Sequence, residues 1–256
     1  MTGGEREVVI ACEGVRKTLG RQQVLRGMDL EVRRGECLVV MGRSGCGKSV
    51  LLKHIIGLMT PDAGRILVEG KDVASMTERE MLPIRQEVGI VFQGGALFDS
   101  MSVGENIAFP LREERELTET QIQERVEDVL DAVGLSGQQR KATSDLSGGM
   151  RKRVALARTI ARRPKVVLYD EPTTGLDPIT TDSIDRLINK MRERYGVTSV
   201  VVTHDMHSAF SVGDRLALMH EGRVYCQGTV DELRSNPDPV VHNFIHGISE
   251  ESEVTV

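Results

Sequence analysis

Eight consecutive residues, Gly42-Arg43-Ser44-Gly45-Cys46-Gly47-Lys48-Ser49, constrain this chain most, because they join an apolar run at 37–41 to a helix-like segment at 50–58. A strand, a glycine-rich loop and a helix in that order make a phosphate cradle, or P-loop. The glycines let successive backbone N–H groups turn inward around a polyphosphate. The helix adds unpaired amides and the positive end of its dipole. Lys48 is then placed to reach the β- and γ-phosphates and Ser49 to give an oxygen to Mg²⁺, with Val50 completing the binding segment.

A chain of 256 residues is long enough for one large α/β domain with a substantial core, expected here over residues 8–247. The apolar stretch at 51–59 is interrupted by Lys53 and His54, well short of the roughly 18 to 20 apolar residues that a membrane span needs. Residues 1–6 lack a basic start followed by an apolar segment, so secretion is not indicated and the cytoplasm is expected. Cys12, Cys37, Cys46 and Cys226 form no Cys-x-x-Cys pair, which suits reduced, mostly buried thiols. A net charge of −5 argues against a polyanion-binding surface over the whole chain. Arg151, Lys152, Arg153, Arg158, Arg162 and Arg163 do cluster on one predicted helix, beside an apolar stripe of Val154, Leu156, Ala157 and Ile160. With aromatic residues at 3% and none interleaved, the cluster reads as a solvated face, and no nucleic-acid partner is expected.

Strands are expected at 8–15, 29–32 and 65–69, around the P-loop unit, giving a nucleotide-binding core with an antiparallel β element. From about 94 to 163 the pattern is helical, an inserted subdomain in which Ile122, Val126, Val129, Leu130 and Val133 recur at helix spacing behind a Thr118/Gln121 capping box. Pro164 stops it, and β-branched runs at 166–169 and 199–203 resume a mostly parallel core in αβα layers. A hairpin at 215–219 and 224–227 leads to a helix capped by Thr229 and Glu232. The acidic residues at 248–256 read as a frayed, disordered tail.

Further motifs follow in fixed order: Gln93 after the strand-like 88–92, Leu146-Ser147-Gly148-Gly149-Met150, Asp170-Glu171 closing 166–169, Gly175-Leu176-Asp177, and His204 after 199–203. From Gly14 to about Gly228 this set resembles the ATP-binding cassette (ABC) ATPases. Asp170 ends a buried strand, where holding Mg²⁺ through its water shell compensates the carboxylate. The resemblance makes Glu171 the group that orients and polarises the attacking water. It places Gln93 at Mg²⁺ and that water, and His204 at the γ-phosphate. Ser147, Gly148 and Gly149 open a second helix that one phosphate chain does not need. In the family two cassettes pair head to tail, the signature of one closing over ATP on the other, with Asp177 communicating across the interface. Leu19 departs from the aromatic residue that many cassettes stack on adenine, and Met150 from the commoner Gln. Asn189-Lys190-Met191-Arg192 lacks the Asp of a guanine-reading motif.

Met150, together with 93–98, 105–113, 236–239 and 244–247, is similar to the ATPase subunits of Mla and Mce-type bacterial phospholipid transporters. That similarity implies an Mg-ATP-hydrolysing subunit, two copies of which act with two transmembrane permease subunits and an Mce-domain lipid-binding protein. Phospholipid is then the cargo, and the site of action is the cytoplasmic face of the inner membrane. Neighbouring families often add a small regulatory subunit. Residues 96–110, with Leu97, Phe98, Met101 and Phe109, are the expected permease contact. The alternatives are a transporter of a polar solute, or a soluble cassette working on nucleic acid or ribosomes; the latter class usually carries coiled-coil inserts or tandem cassettes, absent from this sequence.

Cys46, between two P-loop glycines, generates a test. Thiol alkylation confirmed at Cys46 by mass spectrometry should abolish ATP binding, and unchanged affinity would remove Cys46 from the nucleotide site.

Overall fold

The β-branched and apolar runs fold as strands, with helices between many of them, in a computed structural model that describes residues 6–248. The first elements are β1 (Val8–Leu19), β2 (Gln22–Arg33), β3 (Cys37–Gly42), α1 (Lys48–Ile55), β4 (Ala63–Val68), β5 (Lys71–Asp72), α2 (Glu78–Glu87) and β6 (Val88–Val91). Next come α3 (Val103–Glu114), α4 (Glu119–Ala132), α5 (Gly148–Ala161), β7 (Val166–Asp170), α6 (Pro178–Tyr195) and β8 (Thr198–Thr203). The last are α7 (Met206–Val212), β9 (Arg215–His220), β10 (Arg223–Gly228), α8 (Val230–Arg234) and α9 (Pro239–His246). Apart from Ile248, the expected acidic tail lies outside the described residues. No helix among the described residues is long and apolar enough to cross a membrane.

The chain divides into two compact units, one comprising residues 6–76 and 202–248, the other Thr77–Val201. In the first, β2, β1, β4 and β5 form an antiparallel sheet in that order. Met28, Leu30 and Val32 of β2 are buried while Asp29 and Glu31 between them are exposed, the period-two pattern of a sheet with one face on the core. Both leading strands are longer than expected, because β1 and β2 stay paired through several register shifts as far as Leu19↔Gln22. β3 is buried along its whole length and pairs in parallel with β9, from Leu38↔Arg215 to Gly42↔Met219. The hairpin of β9 and β10 turns through Glu221 and Gly222, whose φ values of 47° and 74° suit the twist of the strands they connect. α1 begins at Lys48 and ends at Ile55, earlier than the segment read from sequence.

In the second unit β6 and β7 pair in parallel from Val88↔Val166 to Val91↔Tyr169. Helix α5 packs on α3, α4, α6 and β6, burying the expected Val154, Leu156, Ala157 and Ile160. The apolar stripe of α4 is buried, and its Thr118/Gln121 capping box is formed. The Thr229/Glu232 box of α8 is also present, in the first unit. Helix α2 was not anticipated: Pro83 inside it masks a capping box, formed by Thr77 and Glu80, that the sequence already contains.

The basic cluster of α5 corrects the expectation of a solvated face: only Arg151 and Arg163 of the six are exposed. Arg153 donates to Val133 O at 2.7 Å and Ser183 Oγ at 2.6 Å, and Arg158 to Ala96 O at 2.7 Å and Gly95 O at 3.0 Å. Arg162 donates to Arg85 O at 3.0 Å and to Glu114 Oε1 at 2.6 Å. Most of these acceptors are carbonyls at helix ends and loops. Guanidinium groups with several donors reach them along α5.

Asn106, fully buried on α3, organises the segment before its own helix. Its side chain accepts from Phe98 N at 2.8 Å and donates to the carbonyls of Phe98 at 3.1 Å and Ser102 at 3.0 Å. Asn106→Ala removes the acceptor of Phe98 N and one donor each from the Phe98 and Ser102 carbonyls, and is expected to lower stability by about 1–3 kcal/mol, read as a shifted urea midpoint. Phe98→Ala, at a half-exposed ring, should shift it far less.

Candidate functional site

In the first unit the backbone of 42–48 is closed around a lysine. Lys48 is 6% exposed, and its Nζ donates to Gly42 O at 2.8 Å and Arg43 O at 3.3 Å. Gly47 makes the close turn possible. Its φ is 106°, and a Cβ there would lie 2.9 Å from Leu25 Cδ2 and 3.1 Å from Val24 Cγ1. α1 starts immediately afterwards with Gly47 at its N-cap, a residue with no side chain to cap the helix. An anion is the natural occupant of such an end. Arg43, Ser44 and Gly45 are exposed on the loop, while Cys46, Ser49 and Val50 are half-buried.

Leu19 ends β1 and is 40% exposed, an apolar side chain left at the surface beside the Gly20-Arg21 turn. His204 is exposed in the short link between β8 and α7. The link is set by its neighbours: Asp205 N donates to Thr203 Oγ1 at 3.0 Å, and the Asp205 carboxylate accepts from His207 N at 2.8 Å and Ser208 N at 3.2 Å.

In the second unit Gln93 follows β6 and is exposed, and Gly95 N closes a turn onto Phe92 O at 2.8 Å. Asp170 and Glu171, both 8% exposed, stand at the end of β7. Glu171 has φ 49°, a left-handed conformation that is strained for a non-glycine residue, and its Oε2 accepts from Thr174 Oγ1 at 3.1 Å. Lys152, which the sequence reading had placed in solvent, is buried. Its ammonium donates to the main-chain oxygens of Gln93 and Glu171, the latter at 3.4 Å. Sequence inspection missed both supporting groups. Thr174 carries a signal, in that a hydroxyl three residues past a strand-end Glu can reach back to it; Lys152 was hidden by the basic run around it.

Ser147 caps α5, its Oγ accepting from Met150 N at 3.3 Å, and it is exposed together with Gly148. A Cβ on Gly149 would lie 2.6 Å from Thr180 Cγ2, so this turn of α5 requires glycine where α6 begins. Asp177 caps α6. Its carboxylate accepts from Ile179 N at 3.1 Å, Thr180 N at 3.0 Å and Thr180 Oγ1 at 2.6 Å, and the Thr180 contacts hold its pKa below the usual range. The second unit thus brings together Gln93, Asp170, Glu171, the signature turn and Asp177 within one α/β layer, while the P-loop and His204 belong to the first.

The family described as "ABC transporter" matches residues 25–174. The "Intermembrane phospholipid transport system ATP-binding protein MlaF" of Escherichia coli is 39% identical over 91% of this chain and 87% of its own. The "Probable ribonucleotide transport ATP-binding protein mkl" of Mycobacterium leprae is 38% identical over 94% of this chain and 69% of its own. Among solved structures, a dimeric post-hydrolysis ATP-binding cassette bound to ADP and phosphate has a TM-score of 0.79 at 30% identity, covering 86% of this chain and 98% of that one. Motif order, fold and kinship agree, and the chain belongs to the ABC transporter family as one of its ATP-hydrolysing cassettes.

Proposed function

We propose that this chain powers a phospholipid-moving ABC transporter, two copies working on transmembrane permease subunits at the cytoplasmic face of a bacterial inner membrane. The observation that carries this reading is likeness over 91% of the chain to a phospholipid transport ATP-binding protein, in a chain that carries the cassette motifs in order. The glycine-capped start of α1 and the carbonyl-bound Lys48 suit a polyphosphate. Ser49, Gln93 and Asp170 supply the hard oxygen donors that Mg²⁺ prefers. Bound there, Mg²⁺ would neutralise charge on the phosphates.

Within this reading Lys48 reaches the β- and γ-phosphates and the backbone amides of 42–49 cradle them, with Leu19 giving the base only apolar contact. Glu171 polarises the attacking water, its carboxylate oriented by Thr174, while Gln93 serves Mg²⁺ and that water and His204 the γ-phosphate. Ser147, Gly148 and Gly149 present an exposed helix start to the nucleotide of a second copy, and Asp177 lies beside that turn. Closure of the pair on ATP and its opening after hydrolysis would drive the permease. Phe98 and Phe109, 42% and 36% exposed with ring centroids 4.9 Å apart, support 96–110 as the permease contact. An Mce-domain lipid-binding protein and a small regulatory subunit complete the proposed assembly. A polar cargo is the second reading, favoured by the printed name of the mycobacterial relative.

Purification from detergent-solubilised membranes, with mass spectrometry of bound proteins and lipids, separates these readings. A permease with an Mce-domain protein and phospholipid is the expected result; a solute permease without lipid would overturn the cargo, and nucleic acid or ribosomes would overturn transport. Glu171→Gln should keep ATP-dependent dimerisation while turnover falls by about 10²–10⁴-fold, and near-normal turnover would refute its role. Lys48→Ala should weaken ATP binding itself, measured by titration calorimetry.

A further inference from the structure

Lys152 sits where a lysine has little intrinsic reason to be. It follows the N-cap Ser147 by five residues, within a basic run near the positive end of α5, and its side chain is buried. Burial lowers its pKa, opposed by the carboxylates of Glu171 and Asp170. Lys152 lines a small cavity with Val91, Leu156, Tyr169 and Ile184, and its ammonium reaches the ends of β6 and β7. There it donates to Gln93 O and Glu171 O.

These two carbonyls belong to different loops, and each adjoins a side chain assigned to the attacking water. The Glu171 carbonyl is also part of the strained φ 49° backbone. A charged donor on it favours that conformation, much as the Thr174 hydroxyl fixes the carboxylate at the other end of the residue. One ammonium therefore spans three segments: the signature helix, the Gln93 loop and the turn carrying Glu171.

We propose that Lys152 is a positioning residue for hydrolysis, tying the Gln93 loop and the Glu171 turn to the signature helix so that the two water-handling side chains are held in register. This rests on Glu171 being the hydrolytic carboxylate. The Lys152 ammonium donates to main-chain oxygens and does not itself meet the reacting atoms. Loss of its donors lets the Glu171 backbone relax and the carboxylate move from its place, so chemistry suffers while the nucleotide cradle in the other unit is untouched.

The test compares Lys152→Met, which keeps length without donors, and Lys152→Gln, which restores neutral donors, in full-length protein. ATPase kcat and KM, the thermal midpoint and ATP affinity would be measured, each also in the Glu171→Gln background. The expected result is at least a tenfold loss of kcat for Lys152→Met, partial recovery in Lys152→Gln, KM within about twofold, and little further loss when Lys152→Met is added to Glu171→Gln. A kcat within twofold of the parent in a folded Lys152→Met protein would overturn the proposal. So would losses of kcat, KM and midpoint that move together in both variants, the mark of a merely structural lysine. Should Lys152→Met not fold, the kcat-to-KM split of Lys152→Gln decides alone. Near-normal turnover in Glu171→Gln alone would strike the underlying reading, a result distinct from any failure of the Lys152 variants.

Discussion

Main-chain carbonyls at the carboxyl ends of parallel strands are the constraint on which both units depend. They emerge beyond the ladder that pairs the rest of the strand, in the region where a nucleotide-handling protein needs order and polarity. Each unit answers with a buried lysine: Lys48 on the carbonyls of Gly42, the last residue of β3, and of Arg43, Lys152 on those of Gln93 and Glu171 past β6 and β7. An ammonium enclosed without such acceptors would be driven toward its neutral form. The carbonyls thus gain donors, and at Lys152 the carboxylates of Glu171 and Asp170 oppose the burial that lowers its pKa.

Helix starts show a complementary division of labour. α6 and α7 begin at Asp177 and Asp205, whose carboxylates accept the first amides and quench the local positive potential. α1 begins at Gly47 with no side-chain cap, and α5 at Ser147, a neutral hydroxyl that accepts from the third helical amide. The starts that carry P-loop and signature motifs therefore keep their attraction for anions, whereas those beside them have it cancelled internally.

Much of this was legible beforehand because it depends on local rules. Glycine spacing announced the P-loop, β-branched runs announced the buried strands, and the Thr118/Gln121 and Thr229/Glu232 pairs announced helix starts that are present. What escaped depends on partners distant in sequence. Lys152 and Gln93 are 59 residues apart, and Arg162 and Arg85 are 77 apart, so a helix surface that looked uniformly basic could not be resolved into staples. Pro83 concealed α2 for the opposite reason: a local rule against proline was outweighed by a good cap and a buried face of Met81 and Ile84. Cargo was legible only through kinship, since no side chain of the cassette would touch it.

The left-handed backbone at Glu171 has an evolutionary consequence. Glycine would occupy that φ without strain, and asparagine with less, so the protein would gain stability by giving up the carboxylate there. Drift under selection for folding alone should therefore erode this position early, and its retention would mark a lineage still using the energy of its nucleotide. A paralogue that kept the cradle around Lys48 but carried glycine here would be a sturdier protein that binds ATP and seldom spends it.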